Sequence, residues 1–470
     1  MGIGYFQLSV TSESDRYFVG NPQITFFKAV YKRHTNFAME NFILTFTGET
    51  FMGTSSNFGK NMYTIIPKNG DLVHKMYLLI DLEDTKSTDS QASIEEQIGI
   101  SGLSLIDYIE VSIGDQVVDR HTGEWLHMFN ETFLTNSQNT ALCEMINTHT
   151  NTKGTAVSNK HRDGRIYIPL QFWFNRNPGL ALPLLALHSS DVKINVKLNT
   201  RTKIKNNASA ASTLQINKVQ LLTQFIHLDK EEKNLFVSNS HEYLIEQVQS
   251  NLRNVIPLKK NDTDVSYESY QHKIEMAFNH PVKEIFWAIQ DDKSAKDTDG
   301  TTYTDYYDTN TTADRTNKGN NMFNYWRNLD SENRGEQIID ATIGLNGKEI
   351  FDPLNSKYFM SIMKYQHHTG FGYKNINYQD SSGYQISVNN KRGSGFYCYS
   401  FALNPESHQP SGSLNFSKLD RADLRLRIRR DAYNNTVGNF YTSEKLLKIY
   451  AVNYNILKIV SGTGGLVFHN

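Results

Sequence analysis

The feature that most constrains this chain is that it repeats itself. Residues 106–129 read IDYIEVSIGDQVVDRHTGEWLHMF, and residues 339–363 read IDATIGLNGKEIFDPLNSKYFMSIM. Both run strand, Gly turn, strand, Asp, short turn, aromatic helix. Gly114 matches Gly347 and Asp119 matches Asp352, each pair 233 positions apart. Before the turn, Ile109, Val111 and Ile113 match Ala341, Ile343 and Leu345 once one inserted residue is allowed. Asp191-Val-Lys-Ile returns as Asp423-Leu-Arg-Leu at a spacing of 232, and residues 219–226 return as 449–456 at 230. Residues 75–82 match 283–290 at 208. The shortfall is explained if the polar loop 291–335 is longer than its counterpart, 83–101. Four matches in one order imply two similar domains, divided near residues 229–241.

The repeated unit reads as strand. In DVKINVKL (191–198), Val192, Ile194, Val196 and Leu198 share one face, while Lys193, Asn195 and Lys197 share the other. DLRLRIRR (423–430) repeats the pattern with Leu424, Leu426 and Ile428 inside and Arg425, Arg427 and Arg429 outside. Further strands are expected at 42–47, 63–67, 75–82, 106–113, 166–174, 216–228, 272–278, 283–290, 338–345, 396–403 and 446–460, all dense in Val, Ile, Tyr and Phe. Helices are few: one starting at Asn21-Pro22 with Ile24, Phe27 and Tyr31 at helical spacing, one over 124–134, and one over 357–367. About eight strands per half fit a jelly roll of two four-stranded sheets. The expected fold is all-β: two consecutive eight-stranded jelly-roll β-sandwiches, with few short helices and long surface loops. Five aromatics of the second loop, Tyr303, Tyr306, Tyr307, Phe323 and Tyr325, together with Trp326, offer anchors for an ordered outer display.

Composition excludes several classes. Aromatics make up 12% of the 470 residues, which argues against disorder. The formal charge of −1 gives none of the basic excess of a non-specific nucleic-acid binder. No apolar run reaches the ~18 residues of a membrane span. The opening MGIGYFQLSV lacks the features of a secretory signal, and Phe6 stands where myristoylation wants Ser or Thr. Cys143 and Cys398, the two cysteines, lie 255 residues apart and read as buried thiols of a reducing compartment.

A search for chemistry is mostly negative. His121, His127, His149, His161 and His367-His368 lack the short ligand spacing of a zinc site. No Walker A, Gly-x-Ser-x-Gly or His-Glu-x-x-His run occurs. Neighbouring carboxylates at 95–96, 231–232 and 291–292 read as solvated loop residues, because adjacent strand residues face opposite sides. Gly462-Thr-Gly464-Gly465 reads as a flexible tail. The Arg425/Arg427/Arg429 ladder reads as an exposed strand face, with phosphate binding or an intersubunit contact as the sharper alternatives. Asn-x-Ser/Thr at Asn130, Asn207, Asn261, Asn310, Asn415 and Asn434 reads as chance in a chain with no secretory signal. No metal or cofactor is expected, and no enzymatic activity.

The segment 20–37, GNPQITFFKAVYKRHTNF, is distinctive. With residues 167–198, 412–426 and 448–468 and the duplicated sandwich, it resembles the major capsid proteins of nucleocytoplasmic large DNA viruses. The resemblance implies a homotrimer whose six similar lobes form a pseudo-hexagonal capsomer of an icosahedral shell. It places long loops outside, and it places an N-terminal arm inside, toward minor capsid and vertex proteins and an inner virion membrane that the chain does not span. It implies no specific nucleic acid and a place in the virion, after synthesis and assembly in the host cytoplasm. The implied domains are an arm (1–40), a first jelly roll (41–229), a linker (230–241) and a second jelly roll (242–470) with its outer loop at 291–335. Asn21, Pro22, Phe26, Phe27, Tyr31, Arg33 and His34 are the implied assembly contacts of the arm. The competing readings are a tandem jelly-roll carbohydrate-binding protein or glycan hydrolase, and a minor capsid protein of the same lineage.

Overall fold

The computed structural model describes residues 3–10, 12–48, 57–84, 102–146, 165–200, 214–256, 269–291, 323, 325, 327–328, 334–370, 376–379, 385–388, 395–429, 433–434, 439–440 and 445–468. The chain divides into two compact units, Met1–Phe37 and Ala38–Asn470. The larger unit holds the duplicated sandwich.

The first repeat contributes β1 (Phe37–Thr45), β2 (Asn61–Ile65), β3 (Leu72–Asp84), β4 (Ile106–Ile113), β5 (Gln116–Thr122), β6 (Arg165–Pro169), β7 (Val192–Leu198) and β8 (Leu214–Leu228). The second contributes β9 (His241–Ile256), β10 (Ser269–Glu275), β11 (Pro281–Asp291), β12 (Ile338–Leu345), β13 (Lys348–Glu349), β14 (Tyr397–Ser400), β15 (Ala422–Arg429) and β16 (Lys445–Val460). The first repeat forms sheets of order β1-β8-β3-β6 and β2-β7-β4-β5; the second forms β9-β16-β11-β14 and β10-β15-β12-β13. Adding eight to every strand of the first repeat gives the second. This is the eight-stranded, two-sheet jelly roll, made twice. The matched turns agree in detail. Gly114 follows β4 at φ +62, and Asn346-Gly347 follows β12 at φ +49 and +85, a conformation that turns of this kind require.

Burial explains why the strands read as they do. β7 alternates strictly between buried and half-buried residues, because one face meets the core and the other meets water. β11 and β16 are buried almost throughout, because their sheet is covered on both faces. Ile285, Trp287 and Ile289 of β11 join the core of the second sandwich. The intervening Phe286 and Ala288 join the core of the first.

The register also sorts the connections. Asp84 pairs with Leu214, Asp291 with Lys445, Ile106 with Leu198 and Ser269 with Arg429. These strand ends, which flank the segments outside the described residues, therefore lie at one end of the sandwiches. At the other end Leu72 pairs with Ile226, Ile113 with Val192 and Leu345 with Ala422; the turns 66–71, 114–115 and 346–347 there are short, while residues 170–191 and 401–421 return to that end through helical turns and bends. β1 begins at that end, since Glu40 reaches His227 at 3.4 Å.

Several expectations need correction. No helix starts at Asn21. That residue sits at φ +49, whereas a helix N-cap is extended, and residues 20–36 hold no helix. The smaller unit instead carries α1 (Ile3–Ser9) and α2 (Arg16–Val19). The strand expected over 166–174 ends at Pro169, and residues Trp173–Arg176 form a helical turn, α5. The expected helix over 124–134 is present as α3 (Gly123–Phe133), followed by α4 (Asn136–Met145). The one over 357–367 is a π-helical turn, Tyr358–Ile362, running into α7 (Met363–His367). Between the repeats lies α6 (Lys230–Ser238), capped by Asp229. Cys398 is buried but Cys143 only half-buried, and both are free thiols. The glycine-rich stretch near the end is no tail. Thr463–Leu466 folds back as a strand on β16. A Cβ on Gly462 would meet the His188 ring at 2.4 Å.

Candidate functional site

Helix α3 joins the two repeats. Thr122 caps it by accepting the Trp125 amide at 3.1 Å, and Glu124 sits in its first turn, where the helix dipole favours an acid. Position 123 has room only for glycine: a Cβ there would lie 2.4 Å from the Leu103 carbonyl oxygen. The Trp125 ring meets Phe286 edge-on at 5.4 Å and Tyr450 at 5.6 Å, both from the second repeat. Around this contact runs a buried polar chain. Lys448 donates to Glu124, and to Gln290 Oε1 at 2.7 Å. Tyr450 donates to Glu124 Oε2 at 3.3 Å and lies 3.0 Å from Thr122 Oγ1. Burial first, and then the Glu124 charge, raise the Tyr450 phenol well above its ordinary pKa.

A second set of contacts flanks the first. Asp119 accepts the Val248 amide at 3.0 Å, and Gln247 donates to the Val118 carbonyl. Arg176 donates to Glu246 Oε2 at 2.8 Å, and Lys283 reaches Glu246 Oε1 at 2.7 Å and the Pro405 carbonyl at 2.6 Å. Gly370 donates to the Thr132 carbonyl at 2.8 Å, and Gln116 accepts the Leu466 amide at 3.2 Å. The seam is continuous, and the first core cluster draws side chains from both repeats.

His368 lies in this seam, 3.4 Å from Glu284 Oε2 and 3.3 Å from Glu406 Oε1. Neither Glu284 oxygen has a hydrogen-bond partner among the described residues. Burial alone would lower the imidazole pKa, but Cys398, Glu406 and Glu284 together push it up to about 10. Burial raises the Glu284 carboxyl. Burial would also raise Glu246, but Arg176 and Lys283 outweigh it and hold that carboxyl below its usual range. The signs then follow. His368 contributes stability that is full below its unfolded pKa of about 6.5 and is lost as pH rises toward 10. Glu284 acts in the same direction from the carboxylate range upward, and Glu246 loses its contribution only in acid. Thermal stability is therefore expected to peak between about pH 5 and 6.5 and to decline toward pH 10, with the decline reduced in His368→Asn. Melting curves across that range check it; a flat profile from pH 6.5 to 10 would contradict it.

The residues singled out in the sequence are placed as follows. Asn21, Pro22, Phe26, Phe27, Tyr31, Arg33 and His34 all lie in the smaller unit, and all are exposed, Phe27 at 97%. His34 Nδ1 lies 2.8 Å from the Thr35 carbonyl oxygen. The histidines do not converge. His121 pairs with Asp119 at 2.9 Å and His127 stacks on Phe323, while His149 and His161 lie outside the described residues. Among the described residues no group of three or more metal-binding side chains forms. Two arginines of the ladder, Arg425 and Arg427, are ion-paired on their own sheet. Arg425 holds Asp423 at 2.7 Å and also Glu349, and Arg427 holds Asp340. Phe323 and Tyr325 of the long second loop are buried against the first core, two of the expected anchors; the other four aromatics lie outside the described residues. Sequence reasoning missed the seam itself. Its one local signal was the Thr-Gly-Glu-Trp start of α3.

Two jelly rolls fused in tandem define a double jelly-roll protein of the kind that builds viral shells. Comparison with known proteins bears this out. The family model described as "Major capsid protein N-terminus" matches residues 25–229, and "Large eukaryotic DNA virus major capsid protein" matches residues 232–465. The major capsid protein of Pyramimonas orientalis virus is 36% identical over the full length of both chains. That of Paramecium bursaria Chlorella virus 1 is 31% identical, again over both full lengths. The quasi-atomic model of the latter virus's capsid superimposes with a TM-score of 0.69 and 29% identity, over 95% of this chain and 100% of that one. The Faustovirus major capsid protein, at 11% identity and a TM-score of 0.60, shares the fold. The chain belongs to the major capsid proteins of large eukaryotic DNA viruses. It is a structural protein of the virion shell.

Proposed function

We propose that the chain self-assembles as a homotrimer whose six sandwiches form a pseudo-hexagonal capsomer, and that these capsomers tile an icosahedral shell. One observation carries the reading: two sandwiches of matching topology are joined by a continuous buried seam within one compact unit. Three such units supply six near-equivalent lobes, and tight packing in the seam resists shape change. The end where Leu72 pairs with Ile226 and Leu345 with Ala422 is the base, and the end where segments 85–101 and 292–322 join is the outer face. The role is structural and not enzymatic, with assembly in the host cytoplasm.

The arm supplies the inner contacts. β1 begins at the base, so the chain before it starts from there. Phe26, Phe27 and Tyr31 are largely exposed apolar groups, beside the polar Asn21, Arg33 and His34, with Pro22 fixing the backbone. They contact minor capsid and vertex proteins, near an inner membrane that the chain does not cross; among the described residues no helix is long and apolar enough to do so. Electron microscopy of the purified oligomer tests the reading. Class averages with six lobes and threefold symmetry are expected, and two-lobed or asymmetric particles would overturn it.

A further inference from the structure

The exposed apolar side chains of this protein are not spread evenly. Residues 3–31 hold 13 of the 29 large ones found among the described residues, and no hydrophobic cluster includes a residue before Phe42. Single exposed apolar groups are ordinary, but a concentration of this kind is a contact surface.

Charge divides the smaller unit. Its first half mixes Glu13 and Asp15 with Arg16. Residues 20–37 hold Lys28, Lys32, Arg33 and His34 and no acidic residue at all. These four are exposed, and among the described residues no carboxylate lies within ion-pair reach of Lys28, Lys32 or Arg33. Between them stand Ile24, Phe26, Phe27, Val30 and Tyr31, exposed by 71–97%.

The partner must therefore offer an apolar layer beside a negative one. It must also accept side chains that share no single face, because residues 20–36 form neither helix nor strand and Phe26 and Phe27 are adjacent. A protein groove reads apolar anchors at helix or strand spacing. A phospholipid interface needs no such spacing. Its acyl boundary takes the rings, its anionic headgroups take the basic groups, and lysine and arginine stems reach from one to the other.

We propose that residues 20–37 bind the surface of an anionic phospholipid bilayer and lie in its interface without crossing it. This adds a lipid partner to the reading of the arm given above, and it rests on the self-assembly reading for its multiplicity, since three arms on one capsomer bind as linked sites.

Flotation of the purified oligomer with vesicles tests it. Vesicles of phosphatidylcholine mixed with phosphatidylserine should carry the protein, and vesicles of phosphatidylcholine alone should not. The bound protein should come off in about 1 M salt, where the screening length falls to about 3 Å. Lys28→Glu/Lys32→Glu/Arg33→Glu should bind at least about tenfold more weakly, with its mass and melting curve unchanged because all three positions are exposed. Phe26→Ser/Phe27→Ser keeps every charge and should also weaken binding. No binding, equal binding to both vesicle types, or full binding by either variant would overturn the lipid partner. A monomer that binds would leave it standing and overturn the self-assembly reading instead.

Discussion

Trp125→Ala is expected to lower the stability of the folded chain by about 3–5 kcal/mol, the range for removing a fully buried large aromatic. Trp125 is 2% exposed and fills the space between α3 and the β11–β16 pair. Its loss opens a cavity lined by Phe286, Tyr450 and Phe129, rings that cannot collapse inward because each is held in a separate element. The damage falls on the contact between the two sandwiches. Unfolding should therefore separate into two steps, where the wild type shows shared cooperativity. The counterpart Tyr358→Ala is the internal control: Tyr358 is half-buried, so its truncation should cost clearly less. Calorimetry and denaturant titration of both variants check this. Equal costs would mean that α3 has no special place in the seam.

Lys448→Met is expected to cost about 3–5 kcal/mol, because it strands the Glu124 carboxylate in the seam with its charge uncompensated. The ammonium is held by Glu124 and Gln290, and both ionic partners are almost fully buried. Glu124→Leu should be similarly harmful, for it strands the lysine. The pair is a different matter. Replacing both with apolar residues of similar volume removes two desolvation penalties together, so Glu124→Leu/Lys448→Met should recover most of the loss. A double-mutant cycle measures the coupling directly. Additive single-variant costs would show that the two charges do not depend on each other.

Much of the architecture was readable in the sequence because of how strands meet water. β7 alternates because it has one wet face, and β11 carries the unbroken apolar run 285–289 because it has none. The duplication then gave two similar domains of about eight strands each. β9 went unread for a physical reason: Glu246 and Gln247 look like a solvent face, yet they are spent on Arg176, Lys283 and Val118 inside the seam. The helix expected at Asn21 rested on cap residues and spacing alone. Ile24, Phe27 and Tyr31 bury nothing within their unit, so no packing supports a helix there. Gly462 and Gly464 looked permissive when they are in fact crowded by His188 and Leu187. The seam was invisible for a simpler reason: Lys448 and Glu124 are 324 positions apart, and no local pattern joins them. The arm residues were singled out through resemblance alone, and they are exposed in the fold.

The most direct measurement of self-assembly is the solution mass of the purified chain, by light scattering on a sizing column over a wide range of concentration. A capsomer-forming subunit gives a stable species of three chain masses that persists on dilution. A monodisperse monomer at every concentration would contradict it.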